Sequence, residues 1–149
     1  MIYVGANSDI ELKERKDRFD DALEATKAAV EEGIVAGGGI ALLEASKAIA
    51  ELDLGNKDQN LGLDILFAAV QQPLFHIANN AGKKGLAVIK EVLERDYPVG
   101  YNVKTDTYEN LIESGVIDPK KVTRVALESA ASVASVLLMT EATVTKAEA

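Results

Sequence analysis

The chain has 149 residues, of which 48% are hydrophobic, and a formal net charge of −8 at pH 7. This length allows one core of ordinary size, with room for a small appended unit. The acidic balance argues against nucleic acids and anionic membranes as partners, because binding to either requires clustered Lys and Arg side chains. The absence of cysteine excludes disulfides, thiolate catalysis and zinc ribbons.

Two further observations bear on metal chemistry and location. The single histidine, His76, lies in an apolar helical segment, where a hydrogen-bonded or partly exposed side chain is expected rather than a metal ligand or catalytic base. The first residues carry no basic segment, and the sequence contains no uninterrupted apolar run of about 18 residues. We therefore expect a cytoplasmic protein, with no metal ligands among these residues.

The chain opens with a predicted short strand at residues 2–4. An edge strand with no preceding neighbour is unusual at a natural start, so truncation is expected. Ser8 and Glu11 then form the pattern of a capping box, which predicts a helix that runs to about Glu32 and ends before Gly33.

The two halves of this helix have different surfaces. The first half is charged on nearly every side, with favourable i,i+4 pairs such as Glu11–Arg15, and is therefore predicted to be solvated. A helix of this kind often bridges two domains. The second half carries one apolar stripe that we expect to be buried. This stripe consists of Phe19, Leu23, Thr26 and Val30.

Asp21 lies on another side of the same helix, about 200° from Phe19 at roughly 100° per residue. It shares its face with Ala25 and Ala28, whose small side chains leave room beside the carboxylate. Two interpretations stay open from the residue alone. Asp21 is either a solvated acid in an acid-rich helix or a functional carboxylate with a partner.

A run of three glycines, Gly37, Gly38 and Gly39, precedes the next predicted helix. Such a run permits a sharp turn and exposes N–H groups at a helix start, where phosphate can bind. It can equally serve as a tight connector. The dinucleotide pattern G-x-G-x-x-G fails because Leu42 stands at its third glycine, and the pattern G-x-x-x-x-G-K-[ST] is absent.

Successive helices are predicted after the glycines. Pro73 suits the first turn of one of them, and Gly82 follows its end. The segment from Gly85 to Arg95 is amphipathic, which predicts a half-buried helix. The predicted helices cover residues 40–52, 58–70, 73–80 and 85–95.

Residues 97–104 break the helical pattern and predict a short strand or hairpin arm, followed by a brief helix that ends near Gly115. Asp118 and Pro119 are strong start signals for a last helix, with Asp118 as the N-cap. We expect this helix to have a long buried side and a final strand to follow at residues 142–145. The buried side is predicted to contain Val122, Val125, Ala126, Val133 and Leu137.

Several segments closely resemble the C-terminal part of the GroEL-type group I chaperonins, in the same order and over nearly all of the chain. They are Asp-Asp-Ala-Leu-Glu-Ala-Thr at 20–26, Glu-Glu-Gly-Ile-Val-Ala-Gly-Gly-Gly at 31–39, Gly-Tyr-Asn at 100–102 and Gly-Val-Ile-Asp-Pro-Lys-Lys-Val-Thr-Arg at 115–124. The predicted fold class is mainly α, a helical equatorial-domain-like bundle with a long N-terminal helix and a few short strands.

The resemblance also implies a division into domains. Residues 1–36 look like the end of the apical domain and the descending arm of the intermediate domain. Residues 37–149 look like the C-terminal half of the equatorial ATP-binding domain. The solvated first half of the long helix then belongs to the arm that links the ATP site to the moving apical domain.

Roles for the candidate site residues follow from the same resemblance. Asp21 matches the catalytic acid that orients the attacking water in ATP hydrolysis. The backbone of Gly38 matches a contact with the nucleotide, residues 102–104 match the segment against the adenine, and Asp118 matches the acid that holds the ribose hydroxyls. The second and third residues of 102–104 replace small residues often seen in the family. The implied nucleotide-binding residues are Gly37, Gly38, Asn102, Val103, Lys104 and Asp118.

In the intact family protein the cofactor is ATP with Mg. Its phosphates and metal are held by a Gly-Asp-Gly-Thr-Thr loop, which does not occur in this sequence. Phosphoryl transfer depends mainly on positioned charge around the γ-phosphate and its metal. The resemblance therefore implies a fragment of an ATP-dependent chaperonin that by itself neither hydrolyses ATP nor folds clients, and whether it is an enzyme stays open.

The implied partners are the other chaperonin subunits of a double ring. A co-chaperonin and unfolded proteins would bind through an apical surface that this sequence does not contain. Open apolar faces also predict self-association. Two alternatives stay open: a helical protein-interaction or oligomerisation module with no nucleotide function, and a domain that binds nucleotide without hydrolysing it.

Overall fold

The computed structural model describes residues 3–145, which form six α-helices and four short β-strands. The mainly α fold class predicted from the sequence is confirmed. The elements in chain order are α1 (Asp9–Glu32), β1 (Ile34–Ala36), α2 (Ile40–Ala50), α3 (Lys57–Val70), α4 (Gln72–Asn80), α5 (Gly85–Leu93), β2 (Val99–Asn102), β3 (Thr107–Asn110), β4 (Ile117–Pro119) and α6 (Lys120–Leu138).

The hydrophobic core lies between α2, α4, α5 and the β2–β3 hairpin. Leu43, Leu74 and Leu111 are fully buried there, one each from α2, α4 and the turn after β3. Tyr101 of β2 joins the same cluster and is 4% exposed. Burial of this apolar surface is the main stabilising contribution to the fold.

Both ends of α1 are formed as its sequence predicts. The Ser8 hydroxyl accepts a hydrogen bond from the Glu11 N–H at 3.3 Å, and the Glu11 carboxylate accepts one from the Asn7 N–H at 3.1 Å. Gly33 follows the helix with φ of 83°, a value that favours glycine. The predicted pair Glu11–Arg15 is present at 2.7 Å.

The expected buried stripe of α1 is wrong. Phe19 is 48% exposed, Leu23 49% and Val30 83%. The helix instead packs against α6 through the face of Ala25 and Ala28, and Ala28 is 8% exposed. Because α6 contacts α1 on this face, the predicted stripe lies on another side of the helix and stays exposed.

Two separate antiparallel pairs account for the four strands. In the first pair, β1 lies beside β4, with Val35 opposite Asp118. In the second, β2 and β3 form a hairpin with Tyr101 opposite Tyr108. The pair β1–β4 joins the end of α1 to the start of α6, because each strand is directly attached to one of these helices.

Three predictions after residue 104 are wrong. The brief helix that was expected to end near Gly115 is the strand β3 followed by a turn, in which the Asn110 side chain accepts the N–H groups of Ile112 and Glu113. Asp118 is not an N-cap: it lies in β4, and α6 begins after Pro119 without a side-chain cap. Residues 142–145 form no strand.

The long buried side expected for the last helix is also wrong. Within the described residues, no side chain of α6 is fully buried, and Val122, Val133 and Leu137 are 51%, 60% and 63% exposed. The pattern correctly predicted an apolar face, but its packing against α1 and β4 leaves much of that face exposed. At the other end of the chain, Tyr3 and Val4 form no strand, and Ile2 of that prediction lies outside the described residues.

One helical stretch in the described part of the chain, Lys57–Asn80, is long and apolar enough to cross a membrane by length and composition, with a mean hydropathy of 1.3. Its second part, α4, contributes the fully buried Leu74 and Ala78 to the core. Length and composition alone are weak evidence for a span. The expectation of no membrane partner stays a prediction.

Candidate functional site

The glycine turn between β1 and α2 is closely packed by two other segments. The Gly37 N–H donates to the Val116 carbonyl at 2.9 Å, and a Cβ at Gly37 would lie 3.2 Å from that carbonyl. A Cβ at Gly38 would lie 3.3 Å from the Leu111 side chain and 3.9 Å from the Tyr101 carbonyl oxygen. The turn therefore contacts the hairpin strand β2 and the residue before β4.

The third glycine is required by the packing of helices. Gly39 has φ of 80°, and a Cβ there would lie 2.8 Å from the Leu74 backbone nitrogen at the start of α4. A real Cβ does not approach backbone this closely. The connector role of the glycine run is thus physically present, and a ligand role for Gly37 and Gly38 stays a prediction beside it.

Tyr97 fixes the strand that leads into this turn. Its hydroxyl oxygen accepts the Ala36 N–H at 3.0 Å across 61 positions of sequence. Ala36 is fully buried, and the residue after it is Gly37. The turn is therefore held by the segment before β2 as well as by β4.

Asn102 is a buried polar residue at the end of β2, 8% exposed. Its Nδ2 donates to Glu109 Oε1 at 2.5 Å, and its Oδ1 accepts the Lys104 backbone N–H at 3.0 Å. Val103 and Lys104 follow in the turn and are exposed, Val103 by 41%. Of the predicted segment 102–104, one side chain is fixed inside and two face solvent.

The turn of the hairpin is held by a charged cluster. The Lys83 ammonium lies 2.7 Å from the Asp106 carboxylate, and the Tyr101 hydroxyl donates to the same carboxylate at 2.7 Å. These two hydrogen bonds lower the pKa of Asp106, and the bond from Lys83 has the larger effect. The same bonds raise the pKa of Lys83 and the pKa of Tyr101.

Asp21 lies in a groove of about 660 Å³ between α1 and α6. The carboxylate is exposed, and it shares its face with the two alanines as the sequence predicts. Both charged and apolar side chains of the two helices line the groove. The residues that define the groove include Asp21, Ala25, Ala28, Pro119, Val122 and Val125.

Asp118 is exposed in the middle of β4. Side chains alternate along a strand, so its carboxylate points to the opposite face from Pro119, which lines the groove of Asp21. In the described part of the chain, Asp118 is not among the residues that line this groove. The structure thus places the two acids on adjacent elements but not in one shared cavity.

Two ion pairs join α1 to α6 beside this groove. Lys121 contacts Glu31, and Arg124 reaches Glu32 at 2.6 Å and Glu128 at 2.8 Å. Hydrogen bonding from Arg124 lowers the pKa of Glu32, and hydrogen bonding to Glu31 raises the pKa of Lys121. Helix α1 is therefore tied to α6 by charge as well as by packing.

Sequence reasoning missed several residues that shape this region. The pairs between α1 and α6 join residues about 90 positions apart, and the Tyr97 hydrogen bond spans 61 positions. Periodicity reports only local neighbours, so it carries no signal for such contacts. For Glu109, the alternation of Thr107 and Glu109 on one strand face was the available clue, and the prediction of a helix there obscured it.

The model of the TCP-1/cpn60 chaperonin family matches residues 1–148. Chaperonins of this family assist protein folding and assemble with other subunits. A match over nearly the whole length shows the family directly: the chain belongs to the TCP-1/cpn60 chaperonin family.

Proposed function

We propose that this chain supplies the nucleoside-binding part of the ATP site of a group I chaperonin. In this proposal the Gly37–Gly38 turn meets the nucleotide, residues 102–104 lie against the adenine, and Asp118 accepts hydrogen bonds from the ribose hydroxyls. A charged acceptor suits this last role, since hydrogen bonds to ionised groups are roughly twice as strong as neutral ones.

The observation that carries the proposal is the meeting of three distant segments at the glycine turn. Gly37 bonds to Val116, two residues before Asp118, and Gly38 lies beside the carbonyl of Tyr101, the residue before Asn102. These contacts bring the backbones of the three proposed nucleotide-binding segments next to one another. Weak signals scattered over 80 positions of sequence thereby converge on one small region.

Asp21 is proposed as the acid that orients the attacking water. It stands on α1, which is tied to the start of α6 through the Arg124–Glu32 pair. Rotation of this arm relative to the glycine turn would carry the carboxylate toward or away from the nucleotide. This hypothesis gives a reason for the placement of the two acids on different faces, since the acid on the arm enters the site only when the arm closes.

The residues fit a nucleoside better than they fit a metal. The amide of Asn102 and the exposed carboxylate of Asp118 are suitable partners for a base and a ribose. Among residues 3–145, no group of three His, Cys, Asp or Glu side chains could hold a metal ion. We therefore propose that ATP phosphates and Mg are bound by residues outside this sequence, and that the chain alone shows no sustained ATP hydrolysis.

Calorimetry with ADP tests the nucleotide site. We expect measurable binding to the chain, lost in Asp118→Ala and retained in Asp64→Ala, which removes an exposed acid from α3. Absence of binding in all three proteins would refute the proposal. Equal binding by both variants would show that ADP binds elsewhere.

Phosphate release in the presence of ATP and Mg tests the catalytic part. We expect only background release from the chain alone. Sustained release that Asp21→Ala abolishes, and that Asp17→Ala on the same exposed helix leaves intact, would contradict the proposal that the phosphate-binding residues lie elsewhere.

A second function is favoured by one observation, the exposed apolar side of α6. Val136, Leu137 and Leu138 are 56%, 63% and 81% exposed. Exposed apolar patches of this kind drive association. In this alternative the chain is a helical interaction module without nucleotide function. Light scattering would then show self-association unaffected by ADP, and a strictly monomeric chain at high concentration would contradict it.

A further inference from the structure

The side-chain amide of Asn102 is held from both ends within the β2–β3 hairpin. Its Nδ2 donates to Glu109 Oε1, and its Oδ1 accepts the Lys104 backbone N–H. A carboxylate only accepts hydrogen bonds and a backbone N–H only donates, so these two partners permit one orientation of the amide. The opposite orientation would set acceptor against acceptor and donor against donor.

The hairpin register keeps Glu109 in place. Asn102 lies opposite Thr107, so Glu109, two residues further along β3, is its diagonal neighbour on the same face. The Thr105 hydroxyl also donates to Glu109 Oε1 at 3.4 Å. Since Asn102 is 8% exposed, packing restricts its other rotamers as well.

The fixed orientation leaves a defined pair of hydrogen-bonding groups. An Asn side chain offers two N–H donors and two acceptor lone pairs. Glu109 accepts from one N–H of Asn102 Nδ2, and the Lys104 N–H donates to one lone pair of Asn102 Oδ1. One N–H donor and one acceptor lone pair of Asn102 therefore remain. Adenine presents an amino donor beside a ring-nitrogen acceptor, which matches this pair, whereas guanine presents a carbonyl acceptor where adenine has the amino group.

We propose that Glu109 is a positioning residue that makes Asn102 select adenine over guanine nucleotides. This inference rests on the proposed nucleotide function and adds the residue that sets base specificity. Glu109 acts through Asn102 and does not itself contact the nucleotide. Without the carboxylate, one hydrogen bond instead of two holds the amide, so the orientation that presents the free donor and acceptor is less strongly preferred.

The test is calorimetric titration of the full chain with ADP and with GDP. We expect the unmodified chain to prefer ADP, and Glu109→Ala to reduce the ratio of ADP to GDP affinity by about tenfold, because the matched amide–base pair is then held less firmly. Glu109→Gln keeps an acceptor oxygen on a side chain of the same length. This variant should reduce the ratio of ADP to GDP affinity by only about threefold. Glu113→Gln, an exposed acid in the turn after β3, should leave the ratio unchanged.

The affinity ratio separates positioning from a structural effect. Loss of fold or of hairpin stability would lower both affinities by a similar factor, and Glu109→Gln retains the hairpin contact if the alanine variant does not fold. If the ratio of ADP to GDP affinity is unchanged in Glu109→Gln, and in Glu109→Ala where that variant folds, the inference about Glu109 is overturned. The proposed nucleotide function then still stands. Absence of binding of either nucleotide to the unmodified chain overturns the nucleotide function, and this inference with it.

Discussion

Substitution of Gly39 by alanine tests the geometry of the glycine turn. The residue has φ of +80°, and its added Cβ would lie 2.8 Å from the Leu74 backbone nitrogen. The left-handed conformation disfavours alanine by about 1–2 kcal/mol. The overlap adds about 1–3 kcal/mol, because the atom in the way is backbone at the start of a core helix and cannot rotate aside.

Gly82 provides the matched control. Its φ of +75° is nearly the same, but nothing lies within 4 Å of its added Cβ. Gly82→Ala therefore carries only the conformational penalty of about 1–2 kcal/mol. We expect Gly39→Ala to lower the free energy of unfolding by about 2–5 kcal/mol in total.

Urea denaturation followed by circular dichroism measures both variants under the same conditions. For a chain of this size, each kcal/mol corresponds to a melting temperature lower by about 2–4 °C, which gives a second readout. A loss of stability for Gly39→Ala no greater than that for Gly82→Ala would refute the close approach of the glycine turn to α4.

Three further predictions concern the core and the charged contacts. Leu74→Ala should lower the free energy of unfolding by about 2–5 kcal/mol in urea denaturation, because Leu74 is fully buried. Hydrogen bonding from Arg124 lowers the pKa of Glu32 from its ordinary value of 4.5, so the stabilisation is present above that value and is lost as the pH falls through the lower folded value. Arg124→Met should therefore make the free energy of unfolding depend less on pH at acidic pH. An unchanged pH dependence in this range would contradict the prediction. Asp106→Asn should lower the pKa of Tyr101, measured by NMR titration of the ring signals, because the hydrogen bond to the carboxylate raises that pKa in the folded chain.

Local signals in the sequence were sufficient for most helices. The capping box at Ser8 and Glu11 and the glycine after α1 identify both ends of that helix, since each acts within four residues of the terminus. Pro73 and Gly82 bracket α4 for the same reason. These features depend on backbone chemistry that a short window contains in full.

The errors arose where a distant segment decided the outcome. Asp118 followed by Pro119 has the chemistry of a helix start, but pairing of Val35 with Asp118 draws the segment into β4. On α1, hydrophobicity favoured the stripe with Phe19, whereas α6 selected the alanine face. In both cases tertiary packing overrode a valid local preference.

The candidate site was predictable only through family resemblance. Asp21 and Asp118 are ordinary acids by local pattern, and nothing in their spacing shows that they belong to adjacent elements. Glu109 escaped notice because its partner Asn102 is reached across a hairpin whose second strand was predicted to be a helix. Its contact with Asn102 becomes visible only when the strand register is known.

Titration of isotopically labelled chain with ADP, followed by amide chemical shifts in NMR spectra, tests the central claim most directly. We expect shift changes to concentrate at Gly37 and Gly38, at residues 102–104 and at Asp118, with little change along the first half of α1. Absence of shifts at millimolar ADP, or shifts confined to a different surface such as the loop at residues 53–56 before α3, would contradict this claim.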